Sequence, residues 1–324
     1  MKRFAHIDAL TVDEAVSYLR RYGDGARAIA GGTDLLGKMK DRILPRYPEA
    51  IVNLKTIPGL DFIREGGGLL TIGALTRLED IATDPVINRQ YAALAAAARR
   101  TASPNLRQMG TLAGNICQDI RCWYYRSADN RFPCLKKGGG RCYAIDGDNR
   151  YHSIFGGTVE EGCYAVHPSD TAPALIALGA AVRTSKRTVE AEDFFAAGVG
   201  KTTVLDSDEI VTEIELRSSP RATKSAFSKF ALRKSIDFPI VNCAARITVS
   251  DGKVAAARIC LNAVHIKPYR SKDAEESIAG KGLTEANAEA AGAAAVASAR
   301  PMTHNGYMVQ IAKTLVKRTI LACG

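Results

Sequence analysis

The distribution of cysteines constrains this chain more than any other feature of its sequence. Eight cysteines occur in 324 residues, and five of them lie between positions 117 and 163. A chain of this length with 46% hydrophobic residues can bury its own cores without disulfides, which are rare in reducing compartments. The cluster therefore favours a metal or redox site. The other three cysteines, which stand among apolar neighbours and are predicted to be small core residues, are Cys243, Cys260 and Cys323.

The spacing within the cluster leaves the metal open. Cys122, Cys134, Cys142 and Cys163 are separated by 11, 7 and 20 residues. This pattern differs from the C-x2-C pairs of common zinc sites and from the tight run of bacterial ferredoxins. Four thiolates suit either Zn²⁺ or a [4Fe-4S] cluster, so both remain candidates from spacing alone.

The net charge of +10 raises the question of an acidic partner. No helix-turn-helix, zinc-finger or ribonucleoprotein motif accompanies it, so nucleic acid is not expected as a partner. The basic residues concentrate in the cysteine segment, where they predict a solvated loop or, as the alternative, a docking site for an acidic partner. These residues are Arg121, Arg126, Arg131, Lys136, Lys137, Arg141 and Arg150.

No stretch of the sequence predicts a membrane span. The N-terminal residues "MKRFAHIDALTVDEAV" contain no apolar core of a signal peptide, and the run "AALAAAA" is far too short to cross a bilayer. We expect no membrane association and a cytoplasmic location.

Local signals divide the chain into three parts, predicted at residues 1–57, 58–218 and 223–324. Thr11 and Glu14 form a capping box for a first helix that ends at Gly23, a second helix starts near Asp34, and a third is predicted to be capped by Thr76. Polar residues around Pro220 mark the last boundary. Beyond it, two strands joined by an Asp251-Gly252 turn and two long helices predict a separate α+β domain.

Two glycine turns and one Ser-Asp pair suggest a bound phosphate. "AIAGGTDLL" joins an apolar strand to a helix, and "QMGTLAGNI" follows a helix, so both can expose backbone N–H groups to an anion. Neither matches the G-x-G-x-x-G or P-loop pattern. In "HPSDTAPAL", Asp170 precedes an apolar helix and fits an N-cap as well as a ligand role.

Together these segments resemble the FAD-binding domain of the molybdenum hydroxylase flavoproteins, the family of xanthine dehydrogenase and the medium subunit of carbon monoxide dehydrogenase. The resemblance implies an α+β fold: a two-part FAD-binding domain, like that of vanillyl-alcohol oxidase (PCMH type), followed by a C-terminal domain of the carbon monoxide dehydrogenase flavoprotein type. It also implies FAD-binding roles for Ile29, Ala30, Gly31, Gly32, Thr33, Asp34, Leu35, Thr101, Ala102, Gly110, Gly114, Asn115, Ser169 and Asp170.

The C-terminal domain and the cysteine segment extend the resemblance. "FSKFALRKSIDFPIV" is similar to the family's F-x-K, Arg, Asp pattern, which places Lys229 at the flavin. Without that pattern, Lys229 would be interpreted as a solvated lysine at the end of a strand. The insertion at about 117–165 resembles the cluster-bearing loop of 4-hydroxybenzoyl-CoA reductase β subunits. By that resemblance the ligands of a [4Fe-4S] cluster are Cys122, Cys134, Cys142 and Cys163, and Cys117 belongs to the flavin turn.

The resemblance implies an electron-transfer oxidoreductase subunit with no catalytic residue of its own for the substrate. Its expected partners are a molybdenum cofactor subunit and a [2Fe-2S] subunit, in a dimer of heterotrimers that reduces 4-hydroxybenzoyl-CoA with electrons from ferredoxin. One alternative is the flavoprotein subunit of an aldehyde- or purine-oxidising complex, in which electrons run the other way. The alternative from another class is a non-catalytic module held together by zinc.

Overall fold

In the computed structural model, which describes residues 1–157 and 162–324, the chain begins with a small parallel sheet. Its strand order is β1-β3-β2. The first helix is capped as predicted: Thr11 Oγ1 accepts from the backbone N–H of Glu14, and Gly23 follows the last turn with a φ of 51°. The elements of this unit are β1 (Ala5–Asp8), α1 (Val12–Tyr22), β2 (Ala26–Ile29), α2 (Leu35–Lys40) and β3 (Ala50–Asn53).

A five-stranded antiparallel sheet with the order β4-β5-β8-β6-β7 forms the second unit. Helix α8 is buried along its whole length, because it packs against α5 and against three strands of the C-terminal sheet. The elements are β4 (Ile63–Gly66), β5 (Leu69–Gly73), α3 (Leu78–Thr83), α4 (Pro85–Gln90), α5 (Ala92–Arg99), α6 (Pro104–Arg107), α7 (Leu112–Ile116), α8 (Thr171–Leu178), β6 (Ala181–Thr184), β7 (Thr188–Glu190) and β8 (Val211–Arg217).

The prediction that Thr76 caps the third helix is wrong. Helix α3 begins one residue later, with Arg77 in the cap position, and no side chain caps it. The Thr76 hydroxyl instead donates to the carbonyl oxygen of Phe62 at 2.9 Å. Thr76 is buried beside β5, where a hydroxyl must find a partner, and the Phe62 carbonyl is the one within reach.

The last unit is a four-stranded antiparallel sheet, order β12-β11-β10-β9, covered by helices. Asp251 and Gly252 both have positive φ values, 50° and 73°, which confirms the predicted two-residue hairpin turn. The two predicted long helices are confirmed as α10 and α11. The elements are β9 (Thr223–Phe230), β10 (Val241–Ser250), β11 (Lys253–Asn262), β12 (Tyr269–Arg270), α9 (Lys272–Ile278), α10 (Glu285–Ala295) and α11 (Tyr307–Leu321).

The cysteine segment connects α7 to α8 with little regular structure. Its hydrophobic side chains form a small core of their own, in which Ile120 and Tyr125 pack with Ile43 and Ile266 from outside the segment. Residues 158–161 of the predicted insertion lie outside the described residues. The three remaining cysteines are buried among apolar side chains, as predicted. In the described part of the chain, no helix is long and apolar enough to cross a membrane.

Candidate cofactor sites

A cleft of about 310 Å³ opens between the β2–α2 turn and the segment from α5 to α7. It brings together the two glycine turns that the sequence singled out, although they are separated by about 80 residues of chain. The predicted FAD-binding residues that line it are Ile29, Ala30, Gly31, Gly32, Thr33, Asp34, Leu35, Thr101, Ala102, Gly110, Gly114 and Asn115.

Glycine is required where the two turns touch. A Cβ atom on Gly31 would overlap the carbonyl oxygen of Met109, so the two backbones meet there without side chains between them. Gly32 has a φ of 72°, a conformation that other residues rarely adopt. The floor of the cleft is therefore bare backbone.

That backbone has unused hydrogen-bond donors. The N–H groups of Gly31, Gly32, Thr33 and Asp34 donate to no acceptor among the described residues. Successive free N–H groups in a turn form a concave site for an anion such as a phosphate. Bare glycine backbone and free donors fit the pyrophosphate of a dinucleotide.

Asn115 presents its amide nitrogen to the same cleft. Its Oδ1 accepts hydrogen bonds from the hydroxyls of Ser169 at 2.5 Å and Thr171 at 2.7 Å. With the oxygen taken, the Nδ2 group is the part left to face a ligand. Ser169 is fully buried and does not line the cleft, so it acts on the site by orienting Asn115.

Asp170 and Lys229 form a buried ion pair behind the cleft. Lys229 Nζ lies 2.6 Å from Asp170 Oδ2, and both side chains are only 3% exposed. The Asp170 side chain makes no cap on α8; its other oxygen accepts from Asn242 at 2.7 Å. Burial raises the pKa of Asp170, and the Lys229 ammonium opposes that shift. Without the family motif Lys229 is expected to be solvated, which is wrong, because its ammonium also donates to the carbonyl oxygen of Arg100 at 2.9 Å, at the end of α5.

The four cysteines of the cluster prediction line a single small gap of about 10 Å³. They come from four separate stretches of chain, which approach each other because the chain folds back at the Arg121–Val166 bridge and again at the turn that follows Cys134. Cys117 instead lines the cleft described above. All eight cysteines are free thiols.

Burial favours the protonated form of three of these thiols. It raises the pKa of Cys122 and Cys134, and it raises the pKa of Cys163 to about 11. Nε2 of His152 lies 3.2 Å from Sγ of Cys122, and burial lowers the pKa of this imidazole to about 4, so it is neutral near pH 7. A metal that binds here must displace protons from the sulfurs.

Two lysines of the predicted solvated loop turn into the protein instead, and Lys136 lines the gap together with the four thiols. Lys136 is 1% exposed and its ammonium donates to the carbonyl oxygens of Gly198, at 2.8 Å, and Lys201. The Lys137 ammonium is buried without a hydrogen-bond partner among the described residues and lies 5.4 Å from the centre of the Tyr125 ring. The interpretation of this stretch as a solvated basic loop is therefore wrong for both lysines, because the turn after Cys134 points them inward.

An ionic network that the sequence did not reveal joins the cysteine segment to the glycine turn. Arg126 Nη1 donates to Asp34 Oδ1 at 2.6 Å, and the backbone N–H of Asp119 donates to Asp34 Oδ2 at 3.0 Å. Lys38 lies between the two carboxylates. The nearby cations, Lys38 first, hold the pKa of buried Asp119 below its usual value against the effect of burial. No local spacing signals these long-range pairs.

The cleft and the cysteine gap are close neighbours. Gln118 lines the cleft, and Ile120, two residues further on, lines the gap. Because a residue spans at most about 3.6 Å of extended chain, the α-carbons of these two residues are separated by about 7 Å or less.

Comparisons with known proteins agree with this geometry. Residues 2–218 match the family described as the FAD binding domain in molybdopterin dehydrogenase, and residues 225–323 match the CO dehydrogenase flavoprotein C-terminal domain. The chain is 35% identical to the aldehyde oxidoreductase FAD-binding subunit PaoB of Escherichia coli (strain K12), over 97% of this chain and 96% of that protein.

Carbon monoxide dehydrogenase provides two further matches. The chain is 28% identical to the medium chain from Hydrogenophaga pseudoflava, over 99% of this chain and 96% of that one. A solved structure of carbon monoxide dehydrogenase from the same organism superposes with a TM-score of 0.78 at 27% identity, covering 99% of this chain and 97% of that one. These matches confirm the predicted fold, and the chain belongs to the family of FAD-binding medium subunits of the molybdenum hydroxylases, which are oxidoreductase subunits.

Proposed function

We propose that this chain is the FAD- and [4Fe-4S]-binding electron-transfer subunit of a molybdenum hydroxylase complex that oxidises aldehydes. The observation that carries the proposal is the meeting of four thiols in one gap beside the FAD cleft. When bound, FAD stores two electrons and the cluster passes one at a time, so neighbouring sites would let the two exchange electrons.

In this proposal the residues described above form two binding sites, one for FAD and one for the cluster. The glycine turns supply backbone N–H groups for the pyrophosphate, Asn115 adds its amide, and the Lys229–Asp170 pair supports the flavin end from behind. The ligands of the cluster are Cys122, Cys134, Cys142 and Cys163.

Redox chemistry favours an iron–sulfur cluster over the zinc alternative. Among residues 1–157 and 162–324, no group of three His, Cys, Asp or Glu side chains is arranged to hold a single metal ion, so the ligand set rests on the gap that the four thiols share. Four thiolates suit either zinc or a cluster, but zinc would add no redox function beside the flavin.

The substrate is inferred from the relatives. PaoB, at 35% identity along nearly the whole chain, is a subunit of an aldehyde oxidoreductase and supports the aldehyde-oxidising alternative. The 4-hydroxybenzoyl-CoA reductase assignment rests on the resemblance of the cysteine segment to the cluster-bearing loop of those β subunits and is kept as the second candidate. In either case we propose a molybdenum cofactor subunit and a [2Fe-2S] subunit as partners, in a dimer of heterotrimers, with ferredoxin as the proposed electron donor for the reductase.

Two measurements test this proposal. The purified subunit should show flavin absorption with a broad iron–sulfur shoulder and contain about four irons per chain; a flavoprotein with one zinc and no iron would contradict the cluster. The purified complex should oxidise aromatic aldehydes with an artificial acceptor. Turnover of 4-hydroxybenzoyl-CoA with reduced ferredoxin, and none with aldehydes, would instead establish the second candidate.

A further inference from the structure

The charges around the cysteine gap are unbalanced. Lys136 lines the gap together with the four thiols, and Lys137 follows it on the same turn. Neither ammonium makes a salt bridge with a carboxylate in the described part of the chain: Lys136 binds two backbone carbonyls, and Lys137 binds no acceptor. Burying an unpaired charge is costly, so such a charge needs a compensating anion.

An iron–sulfur cluster would supply that anion. A [4Fe-4S] cluster in its oxidised form with four thiolates carries two negative charges, and one-electron reduction adds a third. Nearby cations stabilise the more negative form more strongly, which raises the reduction potential.

His152 adds a hydrogen bond to one of the sulfurs. Its Nε2 lies 3.2 Å from Sγ of Cys122, and its Nδ1 has no hydrogen-bond partner among the described residues. A thiolate can only accept in this contact, so the imidazole is the donor. Hydrogen bonds to cluster sulfurs also raise the potential.

We propose that Lys136, Lys137 and His152 set the reduction potential of the cluster, holding it above the value that four thiolates in a buried gap would otherwise give. These are positioning residues, since none of them ligates iron. The inference rests on the proposed [4Fe-4S] site.

The test is a redox titration of the purified holo complex with dithionite and ferricyanide. The electron paramagnetic resonance signal of the cluster is measured at each potential. Lys137→Met is the main variant, because it removes a charge without removing a hydrogen bond. Lys201→Met is the matched control, since its side chain is exposed in the same neighbourhood. Lys137→Arg keeps the charge and should rescue the potential.

We expect the midpoint potential of the cluster to fall in Lys137→Met and in His152→Phe, and to stay at the wild-type value in Lys201→Met. Iron and FAD contents should stay unchanged. A cluster that keeps the wild-type potential in both test variants overturns the inference, as does loss of iron in both, because the residues would then only hold the cluster in place. Absence of iron from the wild-type protein would instead refute the proposed function itself.

Discussion

Arg126 of the cysteine segment donates a hydrogen bond to Asp34 of the glycine turn, with 2.6 Å between Nη1 and Oδ1. The other two donor groups of Arg126 bind the carbonyl oxygens of Ile120 and Asp119. One side chain therefore ties the cysteine segment to the floor of the FAD cleft. Both partners are largely shielded from solvent, so the pair should matter more than an exposed salt bridge.

Replacing Arg126 with Met should weaken FAD binding while the cluster remains. The glycine turn would lose the contact that fixes Asp34. Breaking a partly buried charged hydrogen bond costs about 1.5–3 kcal/mol, and if this cost falls on FAD binding the affinity drops roughly 10- to 150-fold. Titrating the FAD-free protein with FAD and following flavin fluorescence measures the change in FAD affinity. Arg131→Met, at an exposed arginine, is the control, and equal FAD affinity in both variants would contradict the role of Arg126.

Replacing Gly31 with Ala should release FAD, because the new methyl group would overlap the Met109 carbonyl and force the two turns apart. Gly37→Ala is the matched control: Gly37 lies in α2 with no atom within 4 Å of the new Cβ. We expect flavin loss only in Gly31→Ala, measured as the ratio of absorbance at 450 nm to protein. Stoichiometric FAD in that variant would mean that the cleft is misassigned.

The cluster ligands can be separated from the nearby thiol at the flavin turn. Cys134→Ser and Cys163→Ser should lose most of about four irons per chain, since three thiolates rarely hold a complete cluster. Cys117→Ser should keep its iron, because Cys117 lines the FAD cleft rather than the cysteine gap. Iron analysis and electron paramagnetic resonance measure the outcome, and the reverse pattern would exclude the proposed ligand set.

Lys229→Met should destabilise the protein strongly, by about 3–5 kcal/mol, because it leaves the Asp170 carboxylate buried without its cation. Arg233→Met breaks an ion pair with Asp237 in which the arginine is 72% exposed, and should cost less than about 1 kcal/mol. Urea unfolding of both variants compares the two costs. A similar change in unfolding midpoint for both would argue against the importance of the buried pair.

Stability should fall in weak acid because of a buried imidazole. Burial lowers the pKa of His167 to about 3, whereas an unfolded histidine titrates near pH 6.5. Between these values the unfolded state binds more protons than the folded state. The contribution of His167 to the free energy of unfolding is therefore fully present above about pH 6.5 and declines as pH falls, by up to about 1.4 kcal/mol per pH unit.

His167→Phe tests this directly, since neither ring nitrogen has a hydrogen-bond partner among the described residues. The variant should show a shallower loss of stability between pH 6.5 and 4.5 in urea unfolding. An unchanged pH slope would show that His167 does not remain neutral in the folded protein.

Local sequence signals determined much of this protein. The Thr11 cap, the Asp251-Gly252 hairpin and the apolar run of α8 depend on contacts within a few residues, so periodicity and turn chemistry predict them. The glycine turns could also be recognised in the sequence, because glycine allows backbone to approach other backbone or a phosphate closely. The prediction for Thr76 was wrong because its hydroxyl can bind any acceptor that folding brings near, and here it binds the Phe62 carbonyl.

Only the tertiary structure decided what surrounds the sites. Charge along the sequence could not show that Lys136 and Lys137 turn inward towards the sulfurs, because the carbonyls that receive Lys136 lie more than 60 residues away. The same holds for Lys229 with Asp170 and for Arg126 with Asp34, which are 59 and 92 residues apart. The sequence by itself predicted most of the residues that line the cleft and the four cysteines that line the gap. Long-range packing decided which charges are buried beside them, because burial is a property of the whole fold.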